Sequence, residues 1–144
     1  MSHSCTVSLF QGVGNGFTSN NFELEPSAPG EVLVAVTACA LCRSDLHTIA
    51  GRRPCPTPAI LGHEIVGVVV ETGGPVNDWN GRLLQSGDRV TWTIAASCHE
   101  CFYCRHDLPQ NCEHLVKYGH SAMGARGPLG GLSTHCRLLP GTSI

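Results

Sequence analysis

Short apolar runs separated by glycine and proline turns make up most of the hydrophobic pattern of this chain. Residues 31–37 (EVLVAVT) follow a Pro-Gly turn and predict a strand, and residues 64–72 (EIVGVVVET) are nearly all apolar, which predicts a strand covered on both faces. A third strand is expected over 89–94, directly after Gly87-Asp88. Weaker strand patterns lie at 6–10, 22–25 and 134–139.

Helical patterns are scarce by comparison. Residues 43–50 could form two helical turns, with Ser44 or Asp45 near the N-terminal cap and Gly51 as the stop, and a further short turn is expected around 105–111. Many short strands separated by turns are typical of a sandwich or a barrel. We therefore predict a mainly β fold, a partly open β-barrel with one or two short helices.

Composition narrows the class of protein. A length of 144 residues suits one domain. Charged residues make up only 14% of the chain and the net charge is −2, which argues against a nucleic-acid or membrane-surface partner. The chain instead holds 9 cysteines and 8 histidines, the side chains that bind transition metals.

Cysteine usage indicates the compartment. An odd count of 9 cysteines would leave one thiol over in a fully paired disulfide framework. The first residues lack both the basic flank and the apolar stretch of a secretion signal. We predict a cytoplasmic, reduced protein whose cysteines serve metal.

The most specific motif is a run of four cysteines at Cys98, Cys101, Cys104 and Cys112. Four thiolates complete a tetrahedral zinc ion with no open position, which is the pattern of a structural site. Two disulfides or an iron–sulfur cluster are the alternatives. Residues 97–117, called the cysteine lobe below, contain few aliphatic side chains, so zinc would supply the free energy that orders them.

A second set of metal-ligand types stands earlier in the chain. Cys42 and His63, with a third carboxylate or thiolate, would leave one position open on zinc, as a catalytic site requires. Spacing alone equally allows a cysteine packed in the core and a hydrogen-bonded histidine.

Three motifs resemble those of a known family. They are Cys39-Ala-Leu-Cys-Arg-Ser-Asp-Leu-His47, Gly62-His-Glu-Ile-Val-Gly67 and Gly87-Asp-Arg-Val90, and the four-cysteine run follows them in order. With these motifs, residues 31–140 resemble the N-terminal, GroES-like catalytic domain of the zinc-dependent medium-chain alcohol dehydrogenases. The segments 51–54, 91–97, 108–112, 117–120 and 130–132 are most similar to a clade of these enzymes associated with phosphonate catabolism.

The resemblance implies a role for each matching residue. Cys42 and His63 correspond to the first two catalytic zinc ligands. Glu64 corresponds to an acidic residue near zinc that can take part in ligand exchange. Asp45 corresponds to the carboxylate that orients the ligand histidine.

The same helix supplies the remaining implied roles. Ser44 would hydrogen-bond the substrate hydroxyl, although it could equally serve as the helix cap. His47 would end a proton relay to solvent, and Arg43 would meet the pyrophosphate of the cofactor. The implied reaction transfers hydride between an alcohol or aldehyde and NAD or NADP.

Two parts of the family's machinery are not found among these residues. The family's third catalytic ligand and its Rossmann domain lie beyond the position of Ile144, and neither 12–17 nor 124–131 has the spacing of a dinucleotide-binding loop. We therefore expect residues 1–144 to be a GroES-like catalytic domain that is inactive alone, taken from an enzyme that forms homo-oligomers. A stand-alone zinc-binding or interaction module and a thiol redox sensor using Cys39 and Cys42 are the alternatives.

Overall fold

The computed structural model describes residues 3–124 and 126–144, and strands dominate them. The strands are β1 (His3–Phe10), β2 (Phe17–Leu24), β3 (Val32–Ala40), β4 (Ala59–Ile60), β5 (Glu64–Thr72), β6 (Arg89–Val90), β7 (Ala95–Ala96), β8 (Val116–Lys117) and β9 (His135–Leu138). The helices are α1 (Arg43–Ile49), α2 (Phe102–Arg105) and a 3-10 turn at Pro109–Asn111. Within the described ranges, no helix combines the length and the apolar character needed to cross a membrane.

Two antiparallel sheets form the body of the domain. One has the order β2-β1-β4 and the other the order β6-β5-β3-β9. They join where the segment before β9 pairs with β1, through a bridge between Val7 and Ser133 and a hydrogen bond from Ser8 N–H to the Leu132 carbonyl (2.8 Å). Because β2 and β6 remain at the outer edges of the joined sheets within the described residues, the sheets form a partly open barrel. The predicted fold class is confirmed.

Strand β3 lies at the centre of the core. Val32 and Val34 pack in one apolar cluster with β5 and β9, and Leu33 packs in a second cluster with β1 and β4. Strand β5 is covered less evenly than its apolar sequence predicts, since Ile65 is buried whereas Val66 is 40% exposed. The prediction of two covered faces is therefore wrong at Val66, whereas Val69 and Val70 pack in different apolar clusters farther along β5.

The bounds of two strands differ from the sequence prediction, in segments where the hydrophobic pattern is weak. Strand β2 is twice as long as expected. Its sequence FTSNNFEL is mostly exposed and polar, so the hydrophobic pattern did not reveal its first half. The strand expected over 89–94 is wrong beyond Val90. After Val90 the backbone pairing with β5 ends, although the Thr91 side-chain hydroxyl still donates to the Ile65 carbonyl (2.9 Å). Residues 95–96 pair with β8 instead.

The predicted helix forms as α1, but its start differs. Cys42 is the N-cap, and Ser44 and Asp45 are the second and third helical residues. The interpretation of Ser44 as the helix cap is therefore wrong. The turn expected around 105–111 is divided between α2 and the 3-10 turn.

Leu33→Ala should test the central position of β3. Leu33 is fully buried, so truncation should lower the free energy of unfolding by about 2–5 kcal/mol, measured by urea denaturation. Leu83, which is 48% exposed, offers the matched control, and Leu83→Ala should change stability by less than about 0.5 kcal/mol. Equal losses in the two variants would contradict the assigned core.

Candidate metal centres

Strand pairing brings the two halves of the first site together. Cys42 follows the end of β3, and His63 immediately precedes β5. Because Ala40 of β3 pairs with Glu64 of β5, the two connections meet at the same end of the sheet. The donor atoms of Cys42, His63 and Glu64 all lie within 4.8 Å of one another. We call these three residues the Cys42/His63 site.

Asp45 connects both sides of this site. Its side chain is fully buried, and one carboxylate oxygen accepts a hydrogen bond from the Cys42 backbone N–H (2.9 Å). The other oxygen accepts one from the Gly62 N–H (3.3 Å) and lies 3.5 Å from Nδ1 of His63. This arrangement turns Nδ1 towards the carboxylate and leaves Nε2 as the nitrogen available to a metal ion.

The donor set fits zinc. A thiolate, an imidazole and a carboxylate are the three ligand types that zinc accepts, and three protein donors leave one position for a substrate oxygen. Nδ1 of His63 is buried with no hydrogen bond within the described residues, and the carboxylate of Asp45 is the charged group that faces it. Glu64 is exposed, which makes it the most easily displaced of the three donors.

Helix α1 presents the other predicted site residues. Ser44 Oγ lies 3.4 Å from Nε2 of His63, on the side where an ion would bind. His47 is half-buried and lies three residues after Ser44, on the same face of the helix. Arg43 is exposed at the start of the helix. The structure therefore places Ser44 beside the ligand atoms and Arg43 outside them.

Sequence reasoning assigned no role to His120, which the fold brings to the same site. Its ring centroid lies 4.6 Å from that of His63, with 39° between the ring planes. Burial, together with the nearby charge of Arg53, lowers the pKa of His120 to about 4. His120 follows Tyr118-Gly119 and belongs to no metal-ligand motif in the sequence, so no sequence signal pointed to it.

The second centre is the cysteine lobe, which begins directly after β7 and ends with β8. The Sγ atoms of Cys98 and Cys104 are 3.9 Å apart, and those of Cys98 and Cys112 are 3.5 Å apart. Tetrahedral zinc with bonds of about 2.3 Å places its sulfurs about 3.8 Å apart. All four sulfurs lie within 4.8 Å of one another, a spacing that suits one ion better than a cluster of several irons.

Backbone N–H groups prepare the lobe thiols for a cation. Those of Cys98 and His114 donate to Cys112 Sγ, and that of Cys101 donates to Cys98 Sγ, each at 3.3 Å. Backbone donors lower the pKa of Cys101, whereas burial and neighbouring thiols raise the pKa of Cys104. A cation among the four sulfurs would offset the effects that oppose ionisation of the Cys104 thiol.

Most of the chain matches a known domain family. Residues 28–142 match the alcohol dehydrogenase GroES-like domain. A protein of Mycobacterium tuberculosis named as a probable zinc-binding alcohol dehydrogenase is 37% identical over 129 residues, which cover 88% of this chain and 31% of that protein. The chain belongs to the zinc-type alcohol dehydrogenase family.

Solved structures of this family share the fold. An alcohol dehydrogenase from Thermotoga maritima superposes with a TM-score of 0.89 at 31% identity, covering 98% of this chain and 40% of that one. A proposed zinc-binding dehydrogenase from Sinorhizobium meliloti, bound to NADP, gives a TM-score of 0.75 at 29% identity, covering 94% and 36%. The chain thus spans less than half the length of each of these relatives.

Proposed function

We propose that this chain is the zinc-binding catalytic domain of an oxidoreductase that transfers hydride between an alcohol and a nicotinamide cofactor. The observation that carries the proposal is the meeting of Cys42, His63 and Glu64 at one end of the sheet, with the buried carboxylate of Asp45 behind them. The four thiols of the cysteine lobe would fill every position on a second zinc ion, which suits a structural role. The catalytic role is therefore proposed for the Cys42/His63 site.

The surrounding residues suit alcohol oxidation. Zinc held at this site would act as a Lewis acid that lowers the pKa of a substrate hydroxyl. Ser44, beside Nε2 of His63, would accept the hydroxyl proton, and His47 on the same helix face would pass it to solvent. The α-hydrogen would leave as hydride to the nicotinamide ring, with Arg43 positioned for the pyrophosphate.

We expect the complete enzyme to be longer than these 144 residues, since the chain spans less than half the length of its relatives of known structure. We expect the chain alone to bind zinc without oxidising alcohols, because its described residues place only Cys42, His63 and Glu64 at the open site. A Rossmann domain with NAD or NADP, a further protein ligand that would replace Glu64 as the third donor, and a homo-oligomeric assembly belong to this proposal. A phosphonate-related alcohol or aldehyde substrate and a cytoplasmic location also stay predictions.

The redox-sensor alternative is disfavoured by the environment of Cys39. Burial, together with the negative charges of Asp45 and Glu64, raises the pKa of this thiol above its usual value. A sensor cysteine needs a lowered pKa, since the thiolate is the reactive form.

Zinc stoichiometry tests the proposal directly. The wild-type chain should bind two zinc ions, one tightly in the cysteine lobe and one more weakly at the Cys42/His63 site. Cys42→Ser should reduce the count to one, measured by elemental analysis after dialysis against buffered zinc. Cys55→Ser, at a half-buried thiol outside both clusters, should retain two ions. A count of two in Cys42→Ser would place the second ion elsewhere and contradict the proposed function.

A further inference from the structure

The imidazoles of His63 and His120 form a close pair at the edge of the Cys42/His63 site. Their centroids are 4.6 Å apart, so the rings are in van der Waals contact over part of their faces. Nε2 of His120 is buried and has no hydrogen-bond partner within the described residues. The ring of His120 therefore contributes to this site mainly through packing against His63.

Backbone contacts fix the two histidines relative to each other. Gly119, which precedes His120, has φ +73°, and a Cβ there would lie 2.5 Å from the carbonyl oxygen of Gly62, which precedes His63. Gly119 N–H donates to the Leu129 carbonyl (2.7 Å), and Gly131 N–H donates to the Gly62 carbonyl (2.8 Å). The two histidines thus directly follow two glycines whose backbones are in contact, and this contact restricts the distance between the two imidazole rings.

The His63 ring needs a further contact of this kind. Asp45 approaches Nδ1 at 3.5 Å and Ser44 Oγ approaches Nε2 at 3.4 Å, both longer than an ordinary hydrogen bond, so these two polar contacts hold the rotation about χ2 only weakly. A neighbouring ring packed against the imidazole restricts that rotation. The donor atoms that group within 4.8 Å are those of Cys42, His63 and Glu64, and His120 is outside that group.

We propose that His120 is a positioning residue of the Cys42/His63 site, whose ring holds the His63 imidazole with Nδ1 towards Asp45 and Nε2 towards the metal. This inference rests on the proposed function, because it requires a metal ion at that site. Because the contact between the two rings positions His63, an aromatic residue without a ring nitrogen should be able to take the place of His120.

Cobalt binding to the zinc-loaded chain can test this role. With zinc in the cysteine lobe, Co²⁺ added to the second site should produce a thiolate-to-cobalt absorption band that Cys42→Ser abolishes. His120→Ala should weaken Co²⁺ binding at least tenfold, within the range of about 10–100-fold found for residues that orient metal ligands. His120→Phe should restore affinity to within about threefold of wild type, and His3→Ala, away from the site, should leave it unchanged.

The outcomes separate this inference from the proposed function. If the wild-type chain shows no Cys42-dependent cobalt band, the metal centre and the positioning role are both overturned. If wild type binds and His120→Ala binds equally well, only the positioning role is overturned. Failure of His120→Phe to restore affinity also overturns it, and an altered d–d spectrum in both variants would identify His120 as a direct ligand. Histidine side-chain NMR of the metal-free chain should show a less defined His63 tautomer in His120→Ala.

Discussion

Replacing Cys112 by serine should remove one zinc ion and the ordered structure of the cysteine lobe. Cys112 is the last of the four thiols in the chain, and its Sγ accepts hydrogen bonds from the Cys98 and His114 N–H groups. The lobe has few aliphatic side chains to order it without metal, and structural zinc contributes about 10–16 kcal/mol in zinc-finger peptides. Three remaining thiols should hold zinc orders of magnitude more weakly.

Hydrogen exchange followed by mass spectrometry can locate the effect of Cys112→Ser. Amides of residues 97–117 should lose protection while those of β3 and β5 retain it, because the barrel core lies in separate apolar clusters. Chelation of wild-type protein should reproduce the same pattern. Cys55→Ser serves as the matched control with one thiol removed outside the lobe. Retained protection in the lobe of a chelated sample would show that it folds without metal.

The lobe and the helix were predictable because their signals are local. Four cysteines at metal-ligand spacing define one centre whatever surrounds them, and the short helix α1 follows its sequence pattern with a shift only at the cap. The residues of β5 were likewise recognisable from β-branched side chains. In each case the residues that carry the signal are neighbours in the chain.

Features set by long-range pairing were not predictable in the same way. Strand β2 is mostly polar and exposed, and it is a strand because β1 pairs with it along its full length. The tilted packing of His120 against His63 follows from the close approach of Gly119 to Gly62, which no local pattern encodes. Likewise the meeting of Cys42 with His63 follows from the β3–β5 register, and without the family resemblance their spacing was equally compatible with core packing.

The buried carboxylate of Asp45 should be the residue least tolerant of change at the Cys42/His63 site. Its two oxygens accept from the Cys42 and Gly62 N–H groups and face Nδ1 of His63. Asp45→Asn keeps the shape but supplies only one acceptor oxygen and places an NH₂ group opposite an N–H donor. The unpaired N–H should lower the free energy of unfolding by about 1–3 kcal/mol.

Metal affinity should fall with stability, because the same carboxylate orients the ligand histidine. We expect Asp45→Asn to weaken Co²⁺ binding at the second site by about 10–100-fold while leaving zinc in the cysteine lobe. Asp107→Asn is the matched control, since Asp107 is exposed and its φ of 58° is one that asparagine adopts readily. If Asp45→Asn lost stability but bound Co²⁺ with wild-type affinity, the carboxylate would only join the two loops, and the orientation of His63 would have to come from its other contacts.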